Sequence, residues 1–404
     1  MANQLLNDGR WLLPEGVEEL RPRQARNIER LQRRLTDLFH VWGYELVIPP
    51  LIEYVESLLT GAGEDLDLQS FKITDQLNGR LMAVRADMTP QAARIDAHCL
   101  RQDVPTRLCY LGPVLRTKPQ GINRTRSPIQ VGAELYGHGG DESDIEILRL
   151  MIATLLSANI GPFYLDLGHT AIFRSLAQSA GLTGEQEKCL FEVMQRKAVT
   201  ELDAMLGEFD IDDSKRQMLR CLPDLNGDDS TLETARDRLQ GAPQAVFEAI
   251  QHLERITSAL RRQYPDVPLH FDLAELRGYH YQNGVVFAAF APGQGQEIAR
   301  GGRYDGIGAV FGRARPATGF SSDLQALMAL SRDEKIRRDG ILAPWSDEPE
   351  LEAKVAELRM HGERVVYLLP GQVDAPAEQG CYRKLRKIDG EWRVESLPEA
   401  SKGK

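Results

Sequence analysis

The chain has 404 residues, and its 59 acidic side chains outnumber 49 basic ones, for a net charge of −10. That length fits about two or three domains, and 42 % hydrophobic with 27 % charged residues is an ordinary globular composition. The acidic balance excludes a broad, non-specific grip on nucleic acid, which needs a basic face, and leaves room only for a local basic patch.

The N-terminal stretch MANQLLNDGRWLLPEGVEEL has no basic segment leading into an apolar core, so no signal peptide is expected. No apolar run approaches the roughly 18 residues of a membrane span. Cys99, Cys109, Cys189, Cys221 and Cys381 are scattered, odd in number and free of any C-x-x-C pair. This pattern points to free thiols in a reducing cytoplasm rather than a disulfide framework or a thiolate metal site.

From Gln24 to Trp42, Ile28, Leu31, Leu35, Leu38 and Phe39 recur at helical spacing, and Gly43 supplies a stop. YELVIPPLIE then alternates like a strand until Pro49-Pro50, which cannot donate to a ladder. RLMAVRADMTPQAARIDAHCL predicts a strand, a turn over 87–90 and a helix with Thr89 as cap and Pro90 at its first position. Residues 107–116 and 128–137 predict a hairpin with a long tip. On its second strand Ile129, Val131, Ala133 and Leu135 take one face, and Gln130, Gly132, Glu134 and Tyr136 the other. An amide, a gap, a carboxylate and a phenol in a row read as the floor of a site.

A long helix follows in DESDIEILRLMIATLLSANI, and residues from about 170 to 265 are mostly helical in pattern. Strands resume at LHFDLAEL, NGVVFAAFA and QEIARGGRYDG, and RPATGFSSDLQALMAL predicts a strand running into a helix. The tail from about 335 predicts one helix, EPELEAKVAELRMHG, and one strand, RVVYLLP. Strands separated by helices, with a hairpin among them, imply an α+β fold on a largely antiparallel sheet. The expected domains are 1–330, with a helical insertion at about 170–265, and a short 335–404.

Four constellations carry candidate chemistry. The hairpin tip holds Arg116, Lys118, Arg124 and Arg126, either an anion site or a solvated basic loop. RADMT at 85–89 fits an amino-group site or, more simply, a turn and cap. In AELRGYHYQNGVVF, Arg277 and Gly278 precede a strand with Tyr279 and Tyr281 on one face and His280 and Gln282 on the other, suited to a small polar ligand. ARGGRYDGI allows close backbone approach to a ligand or simply a tight turn. GQGQEI does not complete a dinucleotide fingerprint, and no nucleophile elbow, Walker loop or H-E-x-x-H is found. No cofactor or metal is expected.

The order of these signals is more specific than any one of them. A helix and proline-ended strand are followed by R-x-x-x-T, G-P-x-x-R with its basic loop, Q-x-G-x-E, R-G-x-x-Y, G-G-R-Y-D-G and P-A-x-G-F. In that order, over residues of about 11 to 330, the chain resembles the catalytic domain of histidyl-tRNA synthetase. The resemblance implies a class II aminoacyl-tRNA synthetase-like fold: an antiparallel sheet flanked by helices, with a helical insertion. It also implies that Asp87, Thr89, Gln130, Glu134, Arg277 and Tyr281 surround a histidine molecule. Asp87 and Gln130 would then accept from its ammonium, Glu134 would take an imidazole N–H, and Arg277 would pair with its carboxylate. Two positions depart from the pattern: the family's glutamate is the shorter Asp87, and the second tyrosine of a Tyr-Tyr pair is Gln282.

The nucleotide half departs further. Arg116 matches the family's α-phosphate arginine, but the carboxylate that reads adenine is missing, and Lys118 stands in that region. The family's G-F-x-x-G-L-E-R is GFSSDLQAL, with Asp323 for glycine and Gln325-Ala326 for the Glu-Arg pair. Removing one charge-stabilising donor costs about 2–4 kcal/mol in a transition state, so losing several leaves adenylation negligible. In the tail, acidic and basic side chains balance, which does not read as an RNA surface.

An amino acid pocket kept beside a dismantled ATP pocket is similar to the family of ATP phosphoribosyltransferase regulatory subunits. That resemblance implies a non-catalytic chain, homodimeric within a hetero-oligomer, that joins a short catalytic subunit at the first step of histidine biosynthesis and conveys feedback by histidine. The expected histidine contacts are then Asp87, Thr89, Arg116, Gln130, Glu134, Arg277 and Tyr281, with Arg116 turned to the ligand carboxylate. The rival readings are an active histidyl-tRNA synthetase and a regulator that binds tRNA-like RNA.

Overall fold

The computed structural model describes residues 12–58, 63–121, 124–274, 282–332 and 340–397. The chain divides into two compact units, Met1–Asp333 and Glu334–Lys404. Among the described residues no helix is long and apolar enough to cross a membrane, and no cluster of three or more His, Cys, Asp or Glu side chains could hold a metal ion.

In chain order the first unit forms β1 (Glu45–Val47), β2 (Ile52–Tyr54), β3 (Lys72–Thr74), β4 (Leu81–Val84), β5 (Thr106–Pro113) and β6 (Ile129–Tyr136). It continues with β7 (Tyr164–His169), β8 (Asn226–Gly227), β9 (Leu269–Asp272), β10 (Val285–Phe290), β11 (Ala299–Arg303) and β12 (Ala317–Asp323). Nine of these make one sheet in the order β1-β5-β6-β12-β11-β10-β7-β9-β8, and β2, β4 and β3 make a separate small one. Only the β1–β5 and β7–β9 pairs of the large sheet are parallel. The α+β architecture is the one expected.

The helix Pro22–Val41 starts with proline at its first turn, where no N–H is needed, and buries Ile28, Leu31, Leu35 and Phe39 along one stripe. Gly43, at φ +83°, turns the chain into β1. The core side of β6, Val131, Ala133 and Leu135, packs in one apolar cluster with that stripe and with Ile147, Leu148 and Met151 of the helix Asp141–Ser157. The opposite face of β6 is thereby free to carry polar groups. Between Thr170 and Gln263 the chain is helical, from Thr170–Ser179 to Gln244–Gln263, broken by the two residues of β8.

Two local expectations are corrected. Thr89 does not cap its helix. The Asp87 carboxylate accepts from the Thr89 N–H (2.8 Å), and the Thr89 hydroxyl lies 3.0 Å from that of Tyr110 instead. The second unit has four strands rather than one: β13 (Gly340–Pro344), β14 (Val365–Leu368), β15 (Cys381–Ile388) and β16 (Glu391–Ser396), ordered β14-β13-β15-β16, with the helix Pro349–Met360. Its core is Ile341, Ala343, Leu351, Val355 and Leu385.

Candidate functional site

The site is built on the register of three strands. On β6, Gln130 pairs with Gly112 of β5 and Asp323 of β12, Gly132 with Tyr110 and Ser321, and Glu134 with Leu108 and Gly319. Two glycines make this packing possible. A Cβ on Gly132 would lie 2.5 Å from the Tyr110 hydroxyl, and one on Gly319 would lie 1.5 Å from Glu134 Oε2. The gap in the Q-x-G-x-E row is therefore filled from the next strand by a phenol, and the carboxylate lies across the glycine of P-A-x-G-F.

Glu134 is 1 % exposed. Its Oε1 accepts from Tyr110 (2.8 Å) and its Oε2 from Tyr304, the tyrosine of G-G-R-Y-D-G. Burial pushes its carboxyl up to about 8, against the pull of both phenols in the other direction. The Tyr110 hydrogen is engaged by Glu134, so the Thr89 hydroxyl is the donor at the Tyr110 oxygen. Gln130 bridges this line to the 87–89 turn. Its Oε1 accepts from the Met88 N–H and its Nε2 donates to Asp87 Oδ1, both at 2.9 Å. The Gln130 amide thus orients Asp87. A carboxylate accepts about four hydrogen bonds, and Asp87 Oδ1 makes two, so capacity remains for an ammonium group.

Asp87, Thr89, Gln130 and Glu134 thus belong to one hydrogen-bonded group, together with Tyr110 and Tyr304, which sequence reasoning did not single out. Arg277 and Tyr281, with Tyr279 and His280, lie outside the described residues. Gln282 is buried, with its amide against Gly302 of β11.

Arg116 lies next to this group, its Nε donating to the Ala86 carbonyl at 3.2 Å. Burial lowers its guanidinium below the usual range, while the Asp87 carboxylate draws it back up. Arg116, Arg124, Arg300 and Asp323 line a cavity of about 70 Å³ together with Gln130 and Ser321. That volume accepts a few water molecules. The remaining groups are tied to the protein itself. Arg124 donates to the Gln296 side chain (2.9 Å) and the Glu297 carbonyl (2.7 Å), and Arg300 pairs with Glu297 at 3.3 Å. Asp323 Oδ1 accepts from the Gln325 N–H (2.9 Å) at the start of the helix Leu324–Leu330. Burial raises the Asp323 carboxyl above its ordinary value. Of the other loop cations, Arg126 holds the tip in place through the Arg116 and Glu15 carbonyls (3.0 and 2.9 Å), and Lys118 is exposed.

The chain matches the family model of histidyl-tRNA synthetase over residues 16–327 and that of the ATP phosphoribosyltransferase subunit HisZ C-terminal domain over residues 338–395. It is 57 % identical to the ATP phosphoribosyltransferase regulatory subunit of Alkalilimnicola ehrlichii, across 95 % of this chain and 96 % of that one. It is 56 % identical to the regulatory subunit of Thioalkalivibrio sulfidiphilus, across 97 % and 100 % of the two. Among solved structures, an ATP phosphoribosyltransferase regulatory subunit/histidyl-tRNA synthetase from Bacillus halodurans superposes with a TM-score of 0.81 at 26 % identity, over 92 % of this chain and 96 % of that one. The histidyl-tRNA synthetase of Nostoc sp. PCC 7120 shares the fold, with a TM-score of 0.78 at 19 % identity over 96 % and 97 % of the two chains.

Proposed function

The chain belongs to the family of ATP phosphoribosyltransferase regulatory subunits, and from that premise we propose that it binds free histidine in the Asp87–Glu134 group and conveys its occupancy to a catalytic subunit. It has no catalytic role of its own. One observation carries this reading: Asp87, Thr89, Gln130 and Glu134 form one connected hydrogen-bonded group in which Asp87 keeps acceptor capacity, while the guanidinium groups beside it, Arg124 and Arg300, are tied to Gln296 and Glu297. Asp87 supplies acceptor capacity for the ligand ammonium, Glu134 for an imidazole N–H, and Arg116 a guanidinium for the carboxylate. Arg277 and Tyr281 complete the set of expected contacts.

The reading includes a homodimer. Leu46, Ile48 and Leu51, within and just after β1, are exposed at one end of the large sheet, and an apolar end of this kind is suited to a second copy. Feedback requires histidine to bind one assembly state better than another, because only that difference reaches the partner's active site.

The test combines the purified chain with a short ATP phosphoribosyltransferase catalytic subunit, with and without histidine. The expected result is a complex whose activity and histidine sensitivity both differ from those of the catalytic subunit alone. A catalytic subunit equally active and equally inhibited by itself would overturn the reading, as would histidine-dependent ATP–pyrophosphate exchange by the purified chain.

A further inference from the structure

The helix Pro22–Val41 turns its apolar stripe into the core and a basic one away from it. At about 100° per residue, Arg23, Arg26 and Arg30 fall within about 60° of one another, opposite Ile28, Leu31, Leu35 and Phe39. All three are exposed, and among the described residues none makes a side-chain hydrogen bond or ion pair. We infer that this stripe docks an acidic segment of the catalytic subunit, one that presents carboxylates a helical turn apart. The inference rests on the reading that this chain joins such a subunit.

Stability of the helix does not account for the stripe. Arg23 stands in the first turn, where the helix dipole favours a carboxylate and no acidic residue is present. Arg26 follows Arg23 by three residues and Arg30 follows Arg26 by four, spacings at which like charges destabilise a helix. Further along the same face, Arg33 is paired with Glu29, and Arg34 donates to the Ser157 carbonyl at 2.7 Å. The exposed Asp37 stands on that side a turn beyond Arg33, so the surplus of positive charge lies in the N-terminal half. Carboxylates from a partner would relieve the repulsion that the free chain retains.

The surroundings favour a protein, and one other than a second copy. The chain carries a net charge of −10, and the stripe has no aromatic side chain on which a base could stack, so a nucleic acid strand meets a repelling molecule with a short foothold. Leu156, next to the Ser157 that receives Arg34, is 51 % exposed and supplies an apolar contact beside the arginines. A second copy related by a two-fold axis through this face would set arginine against arginine.

The helix also links such a partner to the ligand group. Leu31, Leu35 and Phe39 share one apolar cluster with Val131 and Ala133 on the core side of β6, whose opposite side carries Gln130 and Glu134. A subunit held on this helix is therefore separated from the proposed histidine group by the helix and one strand.

The test measures the affinity of the full chain for the catalytic subunit by sedimentation. Arg26→Glu and Arg30→Glu should each raise Kd about tenfold or more, whereas Lys188→Glu, the same charge change on an exposed residue of the insertion, should leave it unchanged. Arg26→Gln separates docking from folding: its melting temperature should equal or exceed that of the wild type while its Kd rises. Rising salt should weaken the wild-type complex, and more steeply than the Arg26→Gln complex. Poly-L-glutamate should compete with the catalytic subunit for the wild-type chain, which keeps the test decisive if a variant misfolds. Folded variants with wild-type Kd, or a complex indifferent to salt and poly-L-glutamate, overturn the inference. So do charge reversals that abolish tRNA binding or self-association while Kd for the catalytic subunit stays at its wild-type value. A wild-type chain that never binds the catalytic subunit sinks the proposed function instead.

Discussion

Glu134 holds its proton to about pH 8 because burial outweighs the stabilising bonds from Tyr304 and Tyr110. An unfolded glutamate releases its proton near pH 4.5, so between those values the native state binds more protons than the unfolded one. The Glu134 contribution is therefore fully present below about pH 4.5 and is lost as pH rises through about 8. Glu134→Gln cannot ionise, and urea midpoints measured across this window should lose that decline. An unchanged pH profile in the variant would show that Glu134 does not titrate there. The N–H of a neutral imidazole donating to Glu134 would favour its charged form, so binding at pH 7 should release a proton, read by calorimetry in buffers of different ionisation enthalpy. The polar face of Gln130 and Glu134 is legible in the sequence because a strand alternates with period two. Tyr110 is not, because it is the exact register of the β5–β6 hairpin that sets it opposite Gly132, and Tyr304 is not, because it follows β11, a strand far from β6 in the chain. The unfilled Gly132 in a row of polar side chains was the available sign that a large residue enters from the neighbouring strand.

At the junction of β7 and the helix Thr170–Ser179, His169 is an N-cap, its Nδ1 accepting from the Ala171 N–H at 3.2 Å. Its hydrogen must then sit on Nε2, 3.3 Å from His252 Nδ1, and His252 Nε2 lies 3.2 Å from Asp144 Oδ2. Arg303 of β11 closes this line on Asp144 at 2.9 Å. A second proton on His169 would remove the cap, and burial accordingly lowers its pKa from 6.5 to about 3, helped by the neighbouring His252. This contribution is present above about pH 6.5 and is lost as pH falls through about 3, the reverse of the Glu134 slope. His169→Asn keeps a capping oxygen and removes the titration, so its stability should fall less between pH 6.5 and 3 than that of the wild type. Equal acid limbs would place the acid sensitivity elsewhere. Elements with a strong apolar stripe, such as Pro22–Val41, are legible from spacing alone. The β15–β16 hairpin is hidden because its exposed face is charged, with Arg386 opposite Arg393. Its turn was readable nonetheless: Asp389 and Gly390, at φ +50° and +87°, are the Asp-Gly pair that a two-residue hairpin favours.

Across the whole first unit, the order of motifs along the chain identifies the family, yet it does not reveal which ends of the sheet stay open. That depends on the order β1-β5-β6-β12-β11-β10-β7-β9-β8, in which chain neighbours are often far apart. Once the order is known, the exposed Ile48, 82 % accessible just beyond β1, marks the end proposed for self-association. Ile48→Asp should convert a dimer to a monomer in sedimentation velocity, while a variant that remains dimeric would place the self-interface elsewhere. The group on β6 proposed to bind histidine lies between the two ends in strand order, and thermodynamics constrains how it would communicate with a partner. If bound histidine changes the affinity for the catalytic subunit by some factor, the catalytic subunit must change the affinity for histidine by the same factor. Couplings of about 1–3 kcal/mol correspond to factors of about 5–150. Histidine affinity measured for the free chain and for the complex should therefore shift by the same ratio as the association constant measured without and with saturating histidine. Equal ratios within that range would show that the site on this chain carries the feedback. A histidine effect on association with no matching shift in the affinity of this site would mean that the inhibitor acts through another, such as one between the two proteins.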